Sequence, residues 1–360
     1  MTLTQPVLDL QLPRVARVDA ALTQARSYPH LRYMGSKYRL LPALADTFAQ
    51  LGGETALDPF TGSGVVSYLL KAQGFHVTSR DYLNFPVTLA RASCVNQTTM
   101  LTEEDVARIS SGENRDGRDF ISRTYGGLYF TSGDLAFLDS AWSQIATMEG
   151  AQQDLAIASL VLAAARKQPR GVFTVTGLRY DDGRESLHLP LAEQFRRCVE
   201  AWNSSVFDGP ACQAERGDVK SAEGNWDLVY LDPPYAPPRD DNDYIKRYWF
   251  LEGLSDYWQD GTAEIMETTR TKKLAKRATA FGSKRTIGDA LAATLDQFSD
   301  SSIVLSYGSN AVPDLDTLTG LITDVKGSRP EVITLRHRYH FGTHASATRR
   351  EAEEYILVAP

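Results

Sequence analysis

Cysteine is scarce: Cys94, Cys198 and Cys212 are the only three in 360 residues. Their wide spacing fits neither a disulfide framework nor a zinc pattern, so a reducing cytoplasm is the natural setting. Long apolar runs are lacking as well, and none approaches the length of a membrane span. The first thirty residues have no apolar core of a signal peptide, because Pro6, Asp9, Pro13 and Asp19 interrupt them. There is no internal repeat and no low-complexity tract. An excess of basic charge is missing too. The formal net charge of -7 weighs mildly against a nucleic-acid partner, although the distribution of charge says more than its sum.

What is present reads as an ordinary soluble α/β chain, long enough for one large domain with an insertion or for two domains. Residues 1–28 read as an irregular arm. A helix is expected to start near Lys37 and to carry Leu40, Leu41, Leu44 and Phe48 on one face, with Gly52 and Gly53 ending it. Thr55 to Leu57 forms a short buried strand with Asp58 at its carboxyl end. The turn Pro59-Phe60-Thr61-Gly62-Ser63-Gly64 leads into a helix through Val65, Val66, Leu69 and Leu70. Phe75 to Ser79 is the next strand, and Asp81 ends it, completing one βαβ unit. Residues 99–212 have a different, mainly helical texture, notably Leu155 to Ala165 and Leu191 to Trp202, with a hairpin-like turn at Asp182-Gly183. They read as an insertion that divides a domain of residues 1–98 and 213–360. The α/β pattern then returns with strands at Trp226 to Leu231 and Ser302 to Tyr307. Two closing strands, Glu331 to Arg338 and Glu354 to Val358, suggest an antiparallel hairpin at a sheet edge.

Two places carry chemistry. Gly62 and Gly64 let the chain turn tightly after a strand and approach a ligand closely, at the head of a helix with free N–H groups. An acid at the end of the next strand, Asp81, is placed for ribose hydroxyls. This pattern alone fits a dinucleotide oxidoreductase, an S-adenosylmethionine enzyme or a plain turn. Asp58 tips the balance, since a carboxylate beside the glycines repels a pyrophosphate and suits the ammonium of methionine. The sharper signal is Asp232-Pro233-Pro234-Tyr235, directly after a strand and hence at the ligand-binding edge of the sheet. An exocyclic amine of a nucleobase is a poor nucleophile, because its lone pair is delocalised into the ring. Two acceptors aimed at its two hydrogens favour a pyramidal nitrogen. Asp232 can supply one acceptor and the Pro233 carbonyl the other, with the prolines stiffening the turn. Tyr235 offers a π face for the base. Asp-Pro-Pro is also turn chemistry, and the glycine turn upstream argues against that blander reading.

These residues resemble those of the DNA adenine methylase superfamily, in the amino-methyltransferase class of DNA methyltransferases, over most of residues 31–358. Tyr33-Met34-Gly35-Ser36-Lys37 is similar to the family element that helps to hold the cofactor. Asp58 to Gly64 is similar to its cofactor loop, and Asp81 to its ribose-binding acid. Asp218 falls at the position near the cofactor's adenine, and Ser306-Tyr307-Gly308-Ser309-Asn310 is similar to a later element of the active-site face. The resemblance implies a Rossmann-like class I methyltransferase fold, with a mixed seven-stranded sheet and an antiparallel edge hairpin. It implies S-adenosylmethionine as cofactor and N6 of a flipped adenine in double-stranded DNA as target. A bacterial or phage-host cytoplasm and a functional pairing with a restriction endonuclease go with it. The insertion precedes Asp218, and its equivalence to a target-recognition region is an expectation only. N4-cytosine methylation needs nearly the same geometry and stays open, although Asp in the first position of the tetrapeptide leans toward adenine. Methylation of RNA and an inactive DNA-binding relative also remain.

Other features weigh less. Lys272, Lys273, Lys276 and Arg277 sit in a run from Arg270 to Arg285 without an acidic residue. Such a run is ordinarily a solvated face, and here it is also a candidate for DNA phosphates. Arg179 and Arg184 flank a turn and are further DNA candidates. Tyr244, Tyr248 and Trp249 suit either a base pocket or core packing. His337, His340 and His344 are read as surface or packing residues, and no metal is expected.

Overall fold

The computed structural model describes residues 14–173, 181, 183–236, 244–259, 265–275, 277, 279–338 and 351–360. Seven strands form one sheet: β1 Thr55–Asp58, β2 His76–Asp81, β3 Gln213–Arg216, β4 Leu228–Leu231, β5 Ser302–Gly308, β6 Glu331–Arg338 and β7 Glu351–Ala359. Their order is β3-β2-β1-β4-β5-β7-β6. The strands β1 to β5 pair in parallel, and β7 runs antiparallel between β5 and β6. This is the mixed seven-stranded sheet of a class I methyltransferase fold. All four residues of β4 are buried, as a parallel strand covered on both faces requires.

Because β2, β1 and β4 are neighbours running the same way, their carboxyl ends lie side by side. Asp81 ends β2, Asp58 ends β1 and Asp232 follows β4 directly. The opposite ends are pinned by Asp227, whose Oδ2 accepts from the backbone N–H groups of Glu54 and Thr55 at 2.8 and 2.9 Å. That contact sets where β1 and β4 begin relative to each other, and therefore where their acids finish.

Two stretches depart from the sequence reading. The N-terminal part is not wholly irregular, since Arg14–Ala25 is a helix. Val18, Ala21 and Ala25 are buried, with Leu22 packed beside them, at helical spacing. The three buried positions are two alanines and a valine, so the stripe is faint in the sequence. Its Gln24 Nε2 donates to Tyr68 Oη at 2.6 Å, on the helix that follows the glycine turn. The strand β3 was likewise hidden, because Gln213-Ala214-Glu215-Arg216 has no alternation of apolar residues and occupies the sheet edge.

The helical region is dominated by helices Ser132–Ile145, Gly150–Arg166 and Leu191–Ser205. Every residue from Leu155 to Ala165 is buried. Its core is continuous with that beside the sheet. Lys71, on the helix Val65–Ala72, joins the two. Its fully buried ammonium donates to the carbonyls of Ser93, Asn96 and Phe207 at 3.2, 2.8 and 3.0 Å. No helix of the described residues is long and apolar enough to cross a membrane. Replacing Lys71 with Met keeps the stem and removes all three charge-assisted bonds. A denaturant titration of Lys71→Met is expected to show a loss of roughly 2–4 kcal/mol; unchanged stability would mean that the junction does not depend on this ammonium.

Candidate active site

A cavity of about 320 Å³ opens over the carboxyl ends of β1, β2 and β4. It collects residues from across the chain: Tyr33, Gly35 and Lys37, then Asp58, Pro59, Phe60, Thr61, Gly62 and Ser63, then Asp81, Asp218, Asp232 and Pro234. Of the residues expected at the site, Gly64, Pro233 and Tyr235 are not among those that line it. The turn itself is built by glycine. Gly62 has φ +50° and a Cβ there would lie 2.9 Å from the Tyr33 ring. Gly64 has φ +82° and a Cβ there would lie 2.4 Å from Tyr28 Oη, which donates to the Ser63 carbonyl at 2.7 Å. Side chains rarely adopt such φ values.

Asp81 shapes the same turn. Its Oδ2 accepts from Gly62 N–H and its Oδ1 from Leu83 N–H, both at 2.9 Å. Each oxygen keeps a further acceptor position. Burial pushes its carboxyl up to about 6 against these bonds. Asp58 is almost fully buried and accepts from Ser67 Oγ at 2.6 Å through Oδ2. Its Oδ1 is buried without a hydrogen-bond partner among the described residues. Burial pushes the Asp58 carboxyl up to about 7; the Ser67 bond lowers it and the nearby Asp232 and Asp81 raise it. An orphaned carboxylate oxygen beside a glycine cradle calls for a cationic group. Asp218 is exposed and caps a short turn, its Oδ1 accepting from Lys220 N–H at 3.0 Å.

At Asp232 the two oxygens differ. Oδ1 is engaged, by the Lys37 ammonium at 2.8 Å and by the Tyr235 hydroxyl at 3.1 Å. Oδ2 has no partner among the described residues, and no hydrogen bond to the Pro233 carbonyl is formed among them either. Burial pushes the Asp232 carboxyl up, and Lys37 pulls it back. Lys37, expected with the cofactor set, therefore lies against the catalytic candidate. It is itself buried, donates to the Gly35 carbonyl at 2.6 Å, and lies 5.0 Å from the centre of the Tyr235 ring. That ring packs on Tyr307, with centroids 4.7 Å apart, and on Gly308, where a Cβ would stand 3.2 Å away.

Acids, glycines and aromatics from separate parts of the chain thus meet in one place, and two comparisons with known proteins bear on the chain that builds it. The pattern of D12 class N6 adenine-specific DNA methyltransferases matches residues 33–276, beginning at Tyr33 and running through the glycine turn and the Asp232 tetrapeptide. The chain belongs to that family. It is an enzyme of adenine-specific DNA methylation, which closes the cytosine alternative. It is also similar to the Type II methyltransferase M2.HphI of Haemophilus parahaemolyticus, 27% identical over 329 residues, or 87% of this chain and 92% of that one.

Two residues of the candidate site, Glu354 and Phe281, escaped the sequence reading. Glu354 on β7 accepts from the Tyr235 hydroxyl at 3.2 Å and is buried. It lies opposite Gly308 in the β5–β7 pairing. The signal was there, because Glu354 shares a strand face with the buried Ile356 and Val358. Phe281 lines the cavity and meets Phe60 edge-to-face at 5.0 Å. Tyr248 stacks on Tyr33 at 4.8 Å and 13°, and its hydroxyl accepts from Met34 N–H at 2.6 Å. Tyr248 and Trp249 are fully buried, so packing accounts for them, whereas Tyr244 does line the cavity.

The basic run does not form one outward face. Lys272 pairs with Glu267. Arg277 lines the cavity over the strand ends, 4.0 Å from buried Glu252. Lys273 is half-buried. Lys276 and Arg179 lie outside the described residues, as do Asp182, His340 and His344. Arg184 lies at a separate cavity. Gly64→Ala, which meets both the φ and the Tyr28 hydroxyl, is expected to cost about 1–3 kcal/mol. Thermal and denaturant unfolding test this, and a variant as stable as wild type would mean that the turn tolerates a side chain.

Proposed function

We propose that this cavity holds S-adenosylmethionine against the glycine turn and presents N6 of an adenine, flipped out of duplex DNA, to Asp232. The observation that carries the reading is the asymmetry of Asp232, with one oxygen clamped by Lys37 and Tyr235 and the other without a partner among the described residues. S-adenosylmethionine, when bound, supplies a methyl group on a positively charged sulfur. Asp58 Oδ1 suits its ammonium, Asp81 its ribose hydroxyls and Asp218 the region of its adenine. Phe60 and Phe281 offer apolar faces between them. Flipping costs a few kcal/mol, and Tyr235 returns part of that by stacking. Residues 99–212 serve as the target-recognition region in this reading. The Type II name of the similar protein supports a pairing with a restriction endonuclease, and the cytoplasm is the setting.

The chain's own groups account for the activation. Asp232 Oδ2 and the Pro233 carbonyl take the two N6 hydrogens, which favours a pyramidal nitrogen with its lone pair free. Methyl transfer leaves one proton in excess on N6, and Oδ2 is the acceptor already bonded to it. Lys37, through Oδ1, favours the ionised form of Asp232 against the burial that pushes its carboxyl up. Tyr235 has one hydroxyl proton and two acceptors, Asp232 and Glu354. Donation to Glu354 leaves Asp232 with its full charge for the amine, so Glu354 is a positioning residue.

Asp232→Ala is expected to abolish formation of N6-methyladenine, read by mass spectrometry of digested duplex, while S-adenosylmethionine affinity by calorimetry stays near wild type. Full activity in that variant would overturn the mechanism. Glu354→Gln is expected to lower kcat about tenfold and to have little further effect in a Tyr235→Phe background. A loss of the same size in both backgrounds would separate Glu354 from Tyr235.

The pH dependence has a definite sign. With its carboxyl at about 7 instead of the ordinary 3.8, folded Asp58 binds a proton that the unfolded chain has released. Its contribution to stability is therefore complete below about 4 and is lost as pH rises through about 7. Cofactor affinity runs the other way, because an ammonium needs the ionised form. Affinity measured by calorimetry is expected to fall below pH 7, by up to about tenfold per unit. Asp58→Asn should bind more weakly at pH 8 and lose this dependence. A wild-type affinity that is flat from pH 5.5 to 8 would remove Asp58 from the ammonium.

A further inference from the structure

A carboxylate that the proposed mechanism does not use lies buried beside the cavity over the strand ends. Glu252 stands in the last turn of the helix Tyr244–Leu254 and is 3% exposed. Its Oε2 accepts from the backbone N–H groups of Asn84 and Phe85 at 2.8 and 3.2 Å. These open the helix Asn84–Ala90, whose N-cap residue, Leu83, makes no side-chain cap. A cap that is ordinarily local is thus supplied from 168 residues away. A second bond ties the same two helices, from Asn84 Nδ2 to Ser255 Oγ at 2.8 Å. Glu252 Oε1 faces Arg216 Nη2 at 3.3 Å and Arg277 Nη1 at 4.0 Å. Arg216 Nε donates in turn to the Tyr82 carbonyl at 3.4 Å. Burial pushes the Glu252 carboxyl up to about 7, while the Asn84 N–H and then Arg216 lower it.

Each segment that meets Glu252 is a wall of the cavity. Tyr82 and Leu83 line it just before Asn84, Gly217 and Asp218 line it just after Arg216, and Arg277 lines it directly. The turn at Tyr82 and Leu83 is held from its other side by Asp81, whose Oδ1 accepts from Leu83 N–H. Arg277 lies 6.0 Å from the centre of the Tyr82 ring. The walls are far apart along the chain, so local backbone geometry does not set the spacing between them. A single buried carboxylate that all of them meet does, and charge-assisted bonds are the stiffest means of doing so. We propose that Glu252 is a positioning residue for the methyl donor, setting the spacing of the walls around the nucleoside end of S-adenosylmethionine. That end is the one beside Asp81 and Asp218, so the inference rests on the reading that gives those two acids to the ribose and the adenine. The same helix carries Tyr244 into the cavity, which makes an action on the DNA side the alternative, and kinetics separate the two.

The test is steady-state methylation of a DNA duplex, with S-adenosylmethionine varied at saturating duplex and duplex varied at saturating S-adenosylmethionine. Glu252→Gln keeps the size and an acceptor for Asn84 and Phe85, and removes the charge that Arg216 and Arg277 face. It is expected to raise KM for S-adenosylmethionine about tenfold, with kcat and KM for the duplex within about twofold of wild type. A loss of folded protein alone would lower the apparent kcat and leave KM where it is. Calorimetric affinity for S-adenosylhomocysteine should fall by the same factor as KM rises. Arg216→Met breaks the same contact from its more exposed side and carries the test if Glu252→Gln does not fold. It should raise the same KM about threefold, and the double variant should be no worse than Glu252→Gln alone. An unmoved KM for S-adenosylmethionine would overturn the proposal, as would a change confined to kcat or to KM for the duplex, or full additivity in the double variant. A wild-type chain that fails to bind S-adenosylmethionine in calorimetry would overturn the reading beneath it instead.

Discussion

Three carboxylates finish three adjacent parallel strands, and among the described residues one buried ammonium, that of Lys37, stands with them. Asp81, Asp58 and Asp232 repel one another across the sheet edge, and Lys37 meets Asp232 alone. Most of the local architecture answers that repulsion. Backbone N–H groups of Gly62 and Leu83 satisfy Asp81. Ser67 satisfies half of Asp58 and leaves the other half without a hydrogen-bond partner among the described residues. Asp232 leans on Lys37 and Tyr235 through one oxygen. The family's reaction uses a positively charged donor and an amine whose hydrogens seek acceptors. A sheet edge short of cations is electrostatically prepared for both.

The sheet and the residues at its rim were legible because they depend on local rules. Short apolar strands ending in acids, a Gly-x-Gly turn at a helix start and an Asp-Pro-Pro corner each declare themselves within a few residues. The helix Arg14–Ala25 was not legible, because alanines make a weak stripe even when they are fully buried. Edge strand β3 was not, because a strand with little to bury carries little pattern. The adenine target rested on the resemblance, and membership of the family now carries it.

Residues that act through the tertiary fold were the hardest to see. Glu252 looks like any helical glutamate until the fold gathers Asn84, Arg216 and Arg277 around it. The run from Arg270 to Arg285 errs the other way: it reads as one face, yet Arg277 turns inward to the cavity over the strand ends while Lys272 is held by Glu267. Continuity in sequence is poor evidence for continuity of surface wherever the chain is neither helix nor strand. Phe281 is hidden for the same reason, being an aromatic within a stretch whose dominant feature is charge.

The insertion of β7 between β5 and β6 bears on how the enzyme is made. Vectorial synthesis releases β1, β2 and the glycine turn hundreds of residues before Glu354. The half of the sheet that carries the glycine turn is made while β5 still lacks its antiparallel neighbour. Until β7 slides into that gap, Tyr235 has no glutamate to hold its hydroxyl, and Gly308 faces no partner strand. The support for the Tyr235 hydroxyl is thus supplied 119 residues further along the chain than the tyrosine itself.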